Sequence, residues 1–208
     1  MKTVLVVLGI LAAIAIAGFL FLSGQYNSLV NRAQAVDAQW AQVQNVYQRR
    51  ADLVPNLVAT VSGAANFEKS TLTEIATARA SVGRAQINPG AAPTDPAQLA
   101  EFDRAQGQLT SALSRLLVVA ENYPSLKATA NFQELQAQLE GTENRISVER
   151  GRFNELARDY NAAIKRVPAV FFAGLMNFRE KAYFVAAPGS DKAPTVQFDF
   201  GKTAPVKP

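Results

Sequence analysis

The chain has 208 residues, with 21 Lys and Arg against 17 Asp and Glu, a formal net charge of +4, and neither histidine nor cysteine. The missing imidazoles and thiols exclude zinc sites with nitrogen or sulfur ligands within one chain, Ser-His-Asp and Cys-His nucleophile systems, and the Glu-x-x-His pairs of di-iron bundles. The charge is modest, and its basic residues alternate with acidic ones, as in Arg145, Glu149, Arg150, Arg152, Glu155, Arg158 and Asp159. This is the pattern of a solvated helix face. A one-sided basic stripe with stacking aromatics, as nucleic acid would require, is not present.

The first element is an uncharged apolar run from Val4 to Leu22. As a helix it spans roughly 28 Å, close to the roughly 30 Å hydrocarbon core of a bilayer. Ala15-Ile16-Ala17 mimics a signal-peptidase site, but Gly18-Phe19-Leu20-Phe21-Leu22 prolongs the run beyond it with large residues. The reading is therefore an uncleaved anchor, with residues 1–24 as a single-pass span of a bacterial cytoplasmic (inner) membrane and the lipid bilayer as its partner. Lys2 precedes the run, whereas the first basic residue after it, Arg32, is soon followed by Asp37. The positive-inside bias favours an exported body. About 185 residues follow the anchor, enough for one ordinary domain with a sizeable core.

A helical stripe begins four residues later: Tyr26, Leu29, Ala33, Val36, Trp40, Val43, Tyr47, Arg50, Val54, Leu57, Val61, Ala64. Its alternating three and four spacing is that of a helix packing at coiled-coil angles. Pro55 removes one backbone hydrogen bond, yet the phase persists across it, which predicts a kinked helix rather than two. The pattern continues through Leu72, Ile75, Ala78 and Val82, so a first helix over about 25–86 is expected. Three prolines and a glycine make residues 88–96 a loop. A second helix is predicted over about 96–121, with Leu99, Phe102, Leu109, Leu113, Leu116 and Ala120 on its stripe. A third, over about 129–167, carries Phe132, Leu135, Leu139, Thr142, Ile146, Glu149, Phe153, Leu156, Tyr160, Ala163 and Val167. The short link at Tyr123-Pro124 makes the last two antiparallel neighbours.

The expected fold class is all-α: one N-terminal transmembrane helix, an antiparallel up-and-down bundle of long helices over 25–186, and an extended or disordered tail over 187–208. Thr195 to Phe200 alternates as an extended segment does, and suits one lying along the bundle. Phe171, Phe172, Leu175, Met176 and Phe178 form the densest apolar cluster outside the anchor and suit either a cap on the bundle end or contact with membrane or a second copy.

Several motifs resemble the LemA family of bacterial membrane-anchored proteins. They are Tyr26, Asn27, Leu29, Val30 and Arg32 leading to Ala38-x-Trp40; Gln48-Arg49-Arg50-Ala51-Asp52-Leu53-Val54-Pro55-Asn56-Leu57-Val58; Tyr123-Pro124-x-Leu126-Lys127-Ala128 with Asn131-Phe132; Glu143-Asn144-Arg145-Ile146; Asp159-Tyr160-Asn161; and Tyr183-Phe184. The resemblance implies a membrane helix and a helical bundle, an accessory or scaffolding role, and no enzyme; some relatives take part in shaping or equipping internal membranes. The chain departs from the family where Phe67-Glu68 stands in place of a frequent His-Glu.

The candidate structural or partner-contact residues are Arg49, Arg50, Asp52, Pro55 and Asn56 around the proline, and Asp159, Tyr160 and Asn161. For the first group the plain reading is a buried or half-buried ion pair that fixes register. Glu149, polar on an apolar stripe, is expected to face Arg50. Tyr160 and Trp40 read as core. No cofactor, metal, catalytic residue or small-molecule substrate is expected, and a carboxylate hydrolase lacks an evident acid pair. The leading expectation is a non-enzymatic scaffold or adaptor at the membrane, with a protein partner or self-association. The alternative is a regulatory accessory subunit of another membrane protein, such as a protease or transporter.

Overall fold

The computed structural model describes residues 2–63, 68–85, 87 and 90–185. The tail over 187–208, the Thr195–Phe200 segment and Phe67 lie outside them. The elements are α1 (Lys2–Ser62), α2 (Lys69–Arg84), α3 (Pro96–Ala120), the single turn α4 (Pro124–Lys127) and α5 (Ala130–Lys165), followed by one 3₁₀ turn at Ala169–Phe171. Among the described residues there is no strand.

Helix α1 has 61 residues and is about 91 Å long. The apolar run and the first bundle helix are one element, uninterrupted at Gly24 and continuous through Pro55. Residues 4–22 stand clear of the rest of the molecule, with every large apolar side chain exposed. Burial begins at Leu29 and follows the predicted stripe through Val36, Trp40, Val43, Tyr47, Arg50, Val54, Leu57 and Val61. Tyr26, the first residue of that stripe, is 41% exposed.

The expected helix over 25–86 is corrected at its far end, where Lys69–Arg84 form a separate element; at its near end it continues without a break from the apolar run, α1 starting at Lys2. Helix α1 stops at Ser62, Gly63 is in a turn, and α2 begins at Lys69. Unbroken periodicity hides this break, because a helix that reverses and packs back on its neighbours still buries every third or fourth residue. Thr71, Ile75 and Ala78 of α2 are buried, and α2 packs mainly along α3. The boundaries of α3 and α5 follow the sequence within two residues. Asp95 caps α3 by accepting from the amide of Ala97, with Pro96 in the first turn; Thr129 caps α5 by accepting from the amide of Phe132.

The long helices run alternately up and down. Helix α5 lies antiparallel to α1 along most of the bundle and is tied to α3 by side-chain pairs in antiparallel register, Asp103 with Arg150 and Thr110 with Glu143. The core has two parts. One, nearest the apolar run, is aromatic: Trp40, Tyr47, Phe102, Phe153, Tyr160 and Phe184 with Leu29, Val36 and Ile164. The other, at the far end, is mostly aliphatic: Leu57, Val61, Ile75, Leu109, Leu116, Leu139 and Phe132. Arg50 lies between them in sequence on α1.

Candidate functional site

The sequence candidates separate into two sites on α1 and α5. Arg50 takes the stripe position between Tyr47 and Val54, so helical geometry points it inward, and it is 1% exposed. Its guanidinium donates to Thr110 Oγ1 at 2.6 Å, to Glu143 Oε1 at 2.6 Å, to the main-chain oxygen of Gln106 at 3.1 Å and to the Gln106 side-chain oxygen. Tyr47 lies one turn earlier, its ring centroid 5.1 Å from the guanidinium carbon. A planar cation with forked donors suits this set of acceptors, which a lysine could not span. Arg50 Nε has no partner among the described residues.

The expected partner, Glu149, is corrected to Glu143. Six residues further along α5, Glu149 accepts from Gln39 Nε2 at 2.6 Å and from Arg152 at 3.3 Å. A stripe gives the face of a residue but not its height, and the antiparallel register of α1 and α5 sets Arg50 level with Glu143. Thr142, the other polar stripe residue, is buried and donates back to Gln138 O at 2.7 Å.

The other candidates around the proline face outward. Arg49, Asp52, Pro55 and Asn56 are exposed, Asp52 accepts from Gln48 Nε2 at 2.7 Å, and the main-chain oxygen of Asn56 accepts from Thr60. Pro55 and Ala51, with Val54 and Val58, line an open groove whose other wall is α2, including Leu72, Ile75 and Arg79. Proline supplies no amide hydrogen to the carbonyl of Ala51, so one backbone acceptor on this groove lacks its helical partner.

A second polar pair, Arg150 with Asp103 at 2.7 and 3.2 Å, sits about two turns towards the apolar run, and Arg150 also lies over the ring of Phe184 at 4.3 Å. The half-buried carboxylates of this region are thus each held by a cation. Burial raises the Tyr47 phenol above its ordinary value of 10.0, and the charges of Arg150 and Arg50 oppose the rise. Tyr160 is raised too, by burial first and by the charge of Asp37 second. An acid whose folded pKa is raised stabilises the fold fully below its unfolded pKa and loses that contribution as pH climbs from there through the folded value. Stability is therefore expected to be flat towards pH 9 and to fall once pH passes about 10. Thermal melts against pH, read beside tyrosinate absorbance, check it: the fall in stability is expected to accompany ionisation of these two phenols.

The second site holds the chain after α5. Asn161 donates to the main-chain oxygen of Lys181 and accepts from its amide, both at 2.8 Å; Asn154 does the same for Phe184, at 2.8 and 2.9 Å. Seven residues of helix rise about 10.5 Å, and three residues of extended chain span about 10 Å, so two side chains spaced by two turns match the repeat of an extended segment. The clamp seats Phe184 against Trp40 at 6.0 Å and Phe153 at 5.7 Å. Asp37 adds a third tie, accepting from the amide of Ala92 at 2.9 Å and from Lys181 Nζ at 2.8 Å. Tyr160 is in the core as expected, while Asp159 is exposed beside Arg158. Sequence reasoning missed Gln106, Thr110, Glu143, Asn154, Asp37 and Lys181. One signal was available: Gln106 falls between Phe102 and Leu109 on the α3 stripe, a second polar residue on an apolar face. Asn161→Ala is expected to cost about 1–3 kcal/mol and to raise hydrogen exchange at the Lys181 and Phe184 amides, leaving the helical amides of α3 unchanged.

Residues 39–198 match the LemA family, three-quarters of the chain and every residue of the two sites above except Asp37. The chain belongs to the LemA family. Among curated proteins this LemA-family chain is similar to magnetosome proteins MamQ 1 and MamQ 2 of Paramagnetospirillum magneticum, each 26% identical over 202 residues, covering 90% of this chain and 74% of each relative. It is likewise similar to magnetosome protein MamQ of Magnetospirillum gryphiswaldense, 26% identical over 182 residues, covering 80% of this chain and 67% of the relative.

Proposed function

We propose that this LemA-family protein is a non-enzymatic scaffold or adaptor that holds its bundle, and whatever binds the bundle, at a membrane. The observation that carries this is the continuity of α1: a membrane-length apolar segment and the first bundle helix are one helix with no joint between them. A tether that only localised a domain would need no such stiffness. The relatives are named for an assembled structure rather than a reaction, which suits the same reading. The titratable side chains at the bundle's polar layer are engaged with one another, as structural charges are.

The working topology is a single pass through a bacterial cytoplasmic membrane with the body on the exported side, from the placement of Lys2 and Arg32 about the run. Partners would meet the outer face of α1 at Arg49, Asp52 and Asn56 and the adjoining groove at Pro55. The groove favours the second reading as well, a regulatory subunit engaging one foreign membrane protein. Crosslinking in the native membrane, followed by mild-detergent purification and intact mass of the complex, separates them: a homotypic ladder is expected for a scaffold, and one dominant foreign partner for a regulator. A chain that stays monomeric and unpartnered at native abundance contradicts both.

A further inference from the structure

The loop after α5 exposes large apolar side chains at the bundle end nearest the anchor. Phe171 is 80% and Leu175 90% exposed, and Val170 and Met176 are exposed too. They are not loosely held. The loop is closed on itself by main-chain bonds from Val170 to Arg166, Ala173 to Ala169, Met176 to Phe172 and Phe178 to Ala173, at 2.8 to 3.0 Å, and Asn177 turns it with φ of 62°. A built loop that holds Phe171 and Leu175 in water gains nothing from doing so unless something apolar covers them.

Its place in the fold says what that is. The Phe178 ring packs edge-on against Tyr26 at 5.6 Å, and Phe172, Phe178, Ala169 and Ala173 share a core with Leu29. Tyr26 follows Leu22, the last residue of the apolar run, by four residues of unbroken helix, about 6 Å. The headgroup zone on each side of a bilayer is about 5–7 Å deep. If the run spans the hydrocarbon, the loop is carried at headgroup depth, and interfacial apolar segments sink about 5–10 Å into that boundary. The surrounding charge fits an anionic lipid surface. Arg32, Lys165, Arg166 and Arg179 are exposed around the same end, with Lys165 paired to Glu180.

We propose that residues 166–179 form a second membrane contact, in which Phe171 and Leu175 enter the leaflet from which α1 emerges and the basic residues meet anionic headgroups. Two attachments, a span and a loop, fix the bundle's rotation about α1 as well as its distance from the membrane. The inference rests on the reading of residues 4–22 as an uncleaved span. It tests cleanly because the chain has no cysteine of its own. The full chain, carrying one spin label through Ile14→Cys, Leu175→Cys or Ser125→Cys, is reconstituted in phosphatidylethanolamine and phosphatidylglycerol vesicles. Collision with oxygen, which enters lipid, is compared with collision with a water-borne nickel chelate. The expected result is oxygen dominance at 14 and 175 and nickel dominance at 125. Nickel dominance at 175 with oxygen dominance at 14 overturns the loop contact and leaves the span standing. Nickel dominance at 14 as well removes the span and the loop contact together. Poor access of both reagents to 175, with dipolar broadening between labels, overturns the lipid contact in favour of a second copy.

Discussion

Replacing Arg50 by methionine is expected to destabilise the bundle by about 3 kcal/mol. Glu143→Leu is expected to cost about 3–5 kcal/mol, because it strips the carboxylate from a guanidinium that is 1% exposed. The Arg50 change falls at the low end because the Glu143 side chain is 39% exposed and recovers water when its partner leaves. Thr110 retains a bond to Gln106 O at 3.2 Å, which limits the loss further. Arg50→Lys is expected to recover less than half of the deficit, since one ammonium cannot reach Thr110, Glu143 and Gln106 together. The double variant Arg50→Met/Glu143→Leu should cost clearly less than the two changes summed, with a coupling above about 1 kcal/mol. Denaturation of the full chain in detergent, followed by helical circular dichroism, reads all four. Additive single effects below about 1 kcal/mol would show the polar layer to be a bystander.

Trp40→Ala is expected to cost about 3–5 kcal/mol. Trp40 is fully buried and touches the rings of Phe102 at 5.6 Å, Phe153 at 5.3 Å and Phe184 at 6.0 Å, so its loss empties the junction of α1, α3, α5 and the clamped segment. Trp40→Phe should cost less than about 1.5 kcal/mol. It keeps a ring among rings and removes a buried indole N–H that has no partner among the described residues. The contrast between the two variants, read by thermal unfolding, separates a packing role from a polar one. If Trp40→Phe is as damaging as Trp40→Ala, the indole nitrogen does something that hydrophobic packing does not explain.

The helices were legible because burial in a bundle imposes a three–four period on the sequence. That period by itself assigns Leu29, Trp40, Leu109, Phe132 and Phe153 to the core, and all five are buried. The break after Ser62 was not legible, because period carries no information about direction once a chain doubles back in phase. The Arg50 partner was missed for a related reason. Which acid meets a buried cation depends on the relative height of two helices, and that height is set by packing all along α1 and α5. Arg50 itself was visible as a charge on an apolar stripe, and Gln106 as an uncharged polar residue on another, had the two stripes been compared. The clamp at Asn154 and Asn161 was opaque: its partners are main-chain groups of residues 181 and 184, and main-chain groups leave no mark on side-chain pattern. The spacing of seven is meaningful only once an extended segment is known to lie across it.

The proposed role depends on α1 being one stiff element from membrane to bundle. With labels at Leu20→Cys and Gln42→Cys in the full chain, reconstituted in lipid nanodiscs, pulsed dipolar spectroscopy measures this directly. About 22 helical residues separate the positions, about 33 Å of rise. The predicted result is one narrow distance distribution centred near that value. A broad distribution extending well below it, as a joint at Gly24 would produce, would contradict a stiff α1 and the role built on it.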